Sequence, residues 1–222
     1  MNFSLRSIDE VLAILLSFVI ATSIHEFMHA AVALRLGDTT ARDQGRITLN
    51  PMSHFEPFGF FGMVMISLGI PFIGWGKPVP VSTWRMNRIA REHRRRGLAL
   101  VAFAGPLSNV AQAALAAVPI QIAARTGTEL GNIGFALGWF ITVNILLASF
   151  NMIPIPPLDG FNILNGVLPS FWEPVLSPLA RYGFPILLLL FFLPGGFGNT
   201  IVSSLLSPVQ SSLSELLYFG LA

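Results

Sequence analysis

Three stretches of this 222-residue chain, 97–124, 130–158 and 182–214, contain no Asp, Glu, Lys or Arg. A helix crosses the hydrocarbon core of a bilayer with about 20 apolar residues, so each stretch is long enough to cross at least once. Soluble domains carry about 25% charged residues and break their apolar runs far more often. Here 53% of residues are hydrophobic and 11% are charged. In hydrocarbon every backbone polar group must be paired within its own segment or within a closed barrel. The chain therefore reads as an all-α polytopic membrane protein.

Several other classes are set aside by composition. With no cysteine, disulfides and thiolate metal sites are excluded, while the redox compartment stays open. The pI of 9.7 invites a nucleic-acid reading, but the basic residues cluster between apolar spans rather than along a folded polar face, so no nucleic-acid partner is expected. Asp9 and Glu10 precede the first apolar run, and Gly37 lies too far along it for a cleavage site, which argues against a removed signal peptide. No internal repeat is visible. The chain reads as one membrane domain over 1–222, with a core at about 10–168 and accessory spans within about 178–219.

The first helix is expected from Asp9 to Leu36, stopped by Gly37. The alternation in Arg46-Ile47-Thr48-Leu49, after the turn signal Asp43-Gln44-Gly45, predicts a short strand or hairpin at the membrane edge. The apolar segment 57–75 is punctuated by glycine and proline. It either spans or forms a re-entrant hairpin, since broken backbone at depth must be shielded from lipid. Arg85, Arg88, Arg91 and Arg94, spaced by three, predict a basic helix at the interface, on the cytoplasmic side by the positive-inside rule. The run from 130 is expected to be helical until Asn151, to break at Pro154, Pro156 and Pro157, and to resume as a helix after Asp159. Two further apolar stretches lie near 178–193 and 199–219.

Polar groups inside the first span carry the chemistry. In "ATSIHEFMHAAVALRLG", His25, Glu26 and His29 interrupt an apolar run. Ionisable groups in hydrocarbon are costly, so a compensating ion is the favoured explanation and hydrogen-bonded core histidines the bland one. Residues four apart share a helix face, so His25 and His29 can present two imidazoles to one metal. Glu26 is then placed as the carboxylate that takes a proton from metal-activated water. Zinc suits such a set, and a catalytic zinc keeps one position open. A third ligand is needed. Asp159, in "NMIPIPPLDGFNIL", is a candidate; an N-cap for the helix that follows is its other reading.

These residues occur in motifs whose order resembles the site-2 proteases, intramembrane zinc metalloproteases. "HEFMH" is similar to that family's zinc-binding helix, "AGPLSN" (104–109) to its middle core helix, and "NMIPIPPLDG" (151–160) to the third, which carries an Asp ligand. "GRITLNPMSHFEPFG" and "GWGKPVPV" resemble the compact subgroup without PDZ or CBS domains. The resemblance covers about 10–168. It implies a three-helix catalytic core, one Zn2+ held by His25, His29 and Asp159, Glu26 as catalytic base, and cleavage in or near transmembrane segments of substrate proteins. Asn109 becomes a candidate for contacting substrate or the developing oxyanion, with an interhelical hydrogen bond as the alternative. Asn144 and Asn151 are weaker candidates of that kind, and His54 reads as an ordinary exposed or hydrogen-bonded imidazole. Phe161 after "LDG" and Glu56-Pro57 in place of the subgroup's "DP" depart from the family pattern.

Two other functions compete. An inactive homologue that binds membrane segments is disfavoured by the presence of all four site residues, and a zinc carrier by the single compact constellation without inverted repeats. The expected setting is a prokaryotic cytoplasmic membrane, with the site opening toward the cytoplasm. The broken region 57–80 is expected to line the substrate entrance.

Overall fold

A computed structural model describes residues 6–70 and 72–192, together with Ser207, Ser211, Ser212 and Glu215. Helix α1 (Ile8–Arg35) begins in a capping box, in which the Ser7 hydroxyl accepts from the Glu10 amide and the Glu10 carboxylate accepts from the Ser7 amide. Gly37 ends it at a φ of 97°, a backbone conformation that disfavours side chains. A short helix, α2 (Thr40–Asp43), follows. Next come α3 (Pro57–Ser67), α4 (Arg94–Thr126), α5 (Gly131–Asn151), α6 (Asp159–Val167) and α7 (Glu173–Phe192). Among the described residues three helices, α1, α4 and α5, are long and apolar enough to cross a membrane. The chain is a membrane protein. The expected stretch at 178–193 falls largely on α7; the one at 199–219 lies outside the described residues except at four isolated positions.

The three long helices pack as a bundle. His29 meets the Val101 carbonyl and His25 meets Asn109, so α4 runs antiparallel to α1. Asn109 meets Asn144 while Ala113, Ala116 and Ala117 pack on Ile141 and Ile145, so α5 runs antiparallel to α4. Small residues on α4 let the backbones approach, as membrane helices require when lipid gives no hydrophobic drive. Helix α6 lies against the start of α4. Arg95 donates to the backbone and side-chain oxygens of Asn165, and a Cβ on Gly166 would strike Ala99.

The segment 57–75 forms a hairpin rather than one helix long enough to span. Helix α3 has 11 residues, about 16 Å at 1.5 Å each, roughly half of what a crossing needs. The chain turns at Gly69 and comes back along α3. A Cβ on Gly59 would strike the Trp75 carbonyl, and one on Gly62 the Ile73 carbonyl.

Two local expectations are corrected. No strand forms at Arg46–Leu49 or elsewhere among the described residues. The neighbouring segment 76–82 bonds to separate single groups, and Pro78 and Pro80 lack the donors a ladder needs. Nor do the arginines form one basic helix. Thr83–Arg85 and Arg91–His93 are separate 3₁₀ turns, and α4 starts at Arg94. Met86 explains the break: it is buried against Ala33 and Val101, while Asn87 sits on Gly37. Tertiary anchoring overrides the three-residue spacing. The Arg88 amide donates to the Leu36 carbonyl, so the basic segment and the end of α1 share one side.

Candidate active site

His25 and His29, one turn apart on α1, turn buried imidazoles toward Gly105 of α4. A Cβ at Gly105 would collide with Nε2 of both rings. The third group is Asp159 at the start of α6. Its Oδ2 stands 3.1 Å from His25 Nε2 and 3.3 Å from His29 Nε2, and the two Nε2 atoms are 3.0 Å apart. The N-cap position belongs to Leu158, and no side chain caps α6. The Asp159 carboxylate faces the histidines.

The protons on these rings are fixed by what the other nitrogens touch. His29 Nδ1 lies 2.7 Å from the Val101 carbonyl, which can only accept, so Nδ1 carries the hydrogen. For His25 the logic runs through two asparagines. Asn144 Nδ2 donates to the Phe140 carbonyl, which turns Asn144 Oδ1 toward Asn109 Nδ2 at 2.9 Å. Asn109 Oδ1 must then accept from His25 Nδ1, at 2.6 Å. In their neutral form both rings then present a lone pair at Nε2. Asp159 Oδ2, which is buried and makes no hydrogen bond, adds another acceptor.

Three acceptors at these separations repel one another unless a cation lies among them. A proton could serve one pair; a metal ion serves all three. Donors 2.0–2.2 Å from a tetrahedral zinc stand about 3.3–3.5 Å apart, close to the distances seen. The donor set, the orphaned Asp159 oxygen and the Gly105 cradle fit a zinc ion, and His25, His29 and Asp159 form a group able to hold one.

Glu26, also buried, accepts a hydrogen bond at Oε2 from the Val79 amide, at 2.8 Å. Val79 belongs to a strap, 76–82, that lines the site through Gly76, Pro78, Val79 and Val81. Five bonds fasten the strap: the Lys77 amide to the His54 carbonyl, Arg46 to the Lys77 and Pro78 carbonyls, the Val79 amide to Glu26, and the Ser82 amide to Asp38. A cavity of about 520 Å³ lies beside Glu26 and the three converging groups, and Trp75, Val79, Asn162 and Phe184 are among its lining.

Asn109 is fully buried, its carbonyl on His25 and its amide on Asn144. His54 is buried, not exposed, and its Nε2–H donates to the Thr48 carbonyl. Asn151 lines the cavity and donates to the Leu147 carbonyl. Sequence reasoning missed Gly105, Val101, Val79 and Arg46. Of these only Gly105 carried a signal, a glycine inside a spanning helix beside a proline.

The family model for peptidase family M50 matches residues 114–193. "Putative zinc metalloprotease YwhC" of Bacillus subtilis is 32% identical over 208 residues, which are 91% of this chain and 90% of that protein. "Putative zinc metalloprotease Rip2" of Mycobacterium tuberculosis is 30% identical over 82% of this chain and 67% of its own length. "Putative zinc metalloprotease MJ0611" of Methanocaldococcus jannaschii is 42% identical over a shorter stretch, 37% of this chain and 40% of that protein. No solved structure matches. Similarity of this degree, over nine-tenths of both chains in the first case, makes this chain a member of peptidase family M50, the site-2 protease family.

Proposed function

We propose that the protein is a zinc-dependent intramembrane endopeptidase that hydrolyses peptide bonds in or near transmembrane segments of other membrane proteins. The observation that carries this reading is the convergence of His25 Nε2, His29 Nε2 and Asp159 Oδ2 beside Glu26 in a cavity within the helical bundle. His25, His29 and Asp159 are the metal ligands. Zinc, when bound, supplies a Lewis acid for the scissile carbonyl and lowers the pKa of its water. Glu26 accepts the proton of the attacking water and delivers it to the leaving amine. Oε2 is held by the Val79 amide, which leaves Oε1 for the proton. Asn109 acts on His25, holding its tautomer and ring angle, rather than on the substrate.

The arginine-rich connection sits beside the end of α1, so by the positive-inside rule the site opens to the cytoplasm, in a prokaryotic cytoplasmic membrane. Lipid surrounds the bundle, and the hairpin 57–80 borders the entrance for the substrate.

Two variants test the assignment. Glu26→Gln is expected to lower cleavage of a membrane substrate by about 10²- to 10⁴-fold, with zinc content unchanged by elemental analysis. Asp159→Ala is expected to lose zinc. Undiminished cleavage by the first variant would refute the catalytic role of Glu26. Full zinc in the second would remove Asp159 from the ligand set.

A further inference from the structure

Arg46 is only 6% exposed, yet among the described residues no carboxylate lies within ion-pair distance of it. Its Nε is buried without a partner. Burying a guanidinium in this way costs several kcal/mol in desolvation, so what it touches matters. One terminal nitrogen donates to the Lys77 carbonyl at 2.6 Å and to the Pro78 carbonyl at 3.2 Å.

The Pro78 carbonyl and the Val79 amide are two ends of one peptide group. Arg46 holds its oxygen, and its N–H donates to Glu26 Oε2. A cation on the oxygen of a peptide draws electron density from its nitrogen and strengthens the N–H as a donor, an effect enhanced where water is excluded. Burial lowers the Arg46 pKa and the negative charge of Glu26 pushes it back up, so the two charges feel each other across this peptide.

We infer that Arg46 is a positioning residue for Glu26, acting through the Pro78–Val79 peptide that it seats and polarises. Arg46 does not line the cavity and touches neither water nor substrate in the reaction. Its effect is to fix Oε2 so that Oε1 faces the water to be deprotonated. The prolines at 78 and 80 sharpen the device. They leave Val79 as the lone amide between Lys77 and Val81, so the strap has no neighbouring donor to offer Glu26 if it slips by one residue.

The kinetic consequence rests on the proposed role of Glu26; the structural one does not. Amide hydrogen exchange on the full-length protein in detergent reads it directly, because a fragment over 76–82 has no amide at Pro78 or Pro80. In Arg46→Ala, exchange at Val79 is expected to accelerate by about ten-fold or more. Exchange at Ser82, held separately by Asp38, and the zinc content should stay unchanged. Arg46→Lys, which keeps the charge, should recover part of the protection. In a Glu26→Leu background the Arg46→Ala effect should vanish, since Val79 is already released. Unchanged Val79 exchange, equal acceleration at Val79 and Ser82, or an undiminished effect in the Glu26→Leu background would each overturn the inference. With substrate, Arg46→Ala should lower kcat about 10- to 100-fold at constant KM, with partial recovery in Arg46→Lys. Should Glu26→Gln still cleave, the protease reading fails while the exchange results stand.

Discussion

At the scale of single residues, the site is governed by hydrogen atoms that have only one place to go. The Phe140 carbonyl sets Asn144, Asn144 sets Asn109, and Asn109 sets His25. Groups that orient metal-binding histidines typically change metal affinity by 10- to 100-fold when removed. Asn144→Leu is therefore expected to weaken zinc binding by about ten-fold or more, although Asn144 belongs to the helix farthest along this chain of bonds. Competition with a chromogenic chelator would measure it. An affinity equal to wild type would show that Asn109 keeps its orientation unaided.

At the scale of elements, glycine contacts decide how the hairpin closes. The return limb passes so near α3 that Gly62 cannot carry a side chain without displacing the Ile73 carbonyl. Gly62→Val is expected to destabilise the protein by about 1–3 kcal/mol through overpacking, read as a lower unfolding midpoint in detergent. An unchanged midpoint would mean that the two limbs separate freely. These elements differ in how plainly the sequence announces them. The bounds of α1 and the break after Asn151 follow from local signals, the Gly37 stop and the prolines at 154, 156 and 157. The convergence of His25 and His29 follows from helical spacing alone. The strap, the split basic segment and Arg46 do not. Each is set by contacts between residues far apart in the chain, such as Met86 on Ala33 and Arg46 on Lys77, and local pattern carries no trace of a distant partner.

At the scale of the whole molecule, the converging acceptors come from α1 and α6, and α4 closes the space between them through Gly105. A cation there ties distant parts of the chain together, so metal binding and stability are linked. A ligand at 100 times its dissociation constant adds about 2.7 kcal/mol to the folded state. Chelation is accordingly expected to lower the thermal midpoint of the wild type and to leave that of Asp159→Ala nearly unchanged; equal shifts in both would place the stabilising metal elsewhere. The short helix α3 has a consequence for the membrane itself. It exposes Phe58 (74%) and Phe61 (52%), apolar surface suited to acyl chains, yet its length of about 16 Å matches a single leaflet. Under the proposed function, α3 walls that flank over about the thickness of one leaflet. A substrate helix approaching along the bilayer on that flank is then expected to meet α3 over about half its transmembrane length. That half is the one expected to exchange helical hydrogen bonds for contacts with the hairpin, so under the proposed function the unwinding of a substrate is expected on one side of the bilayer midplane.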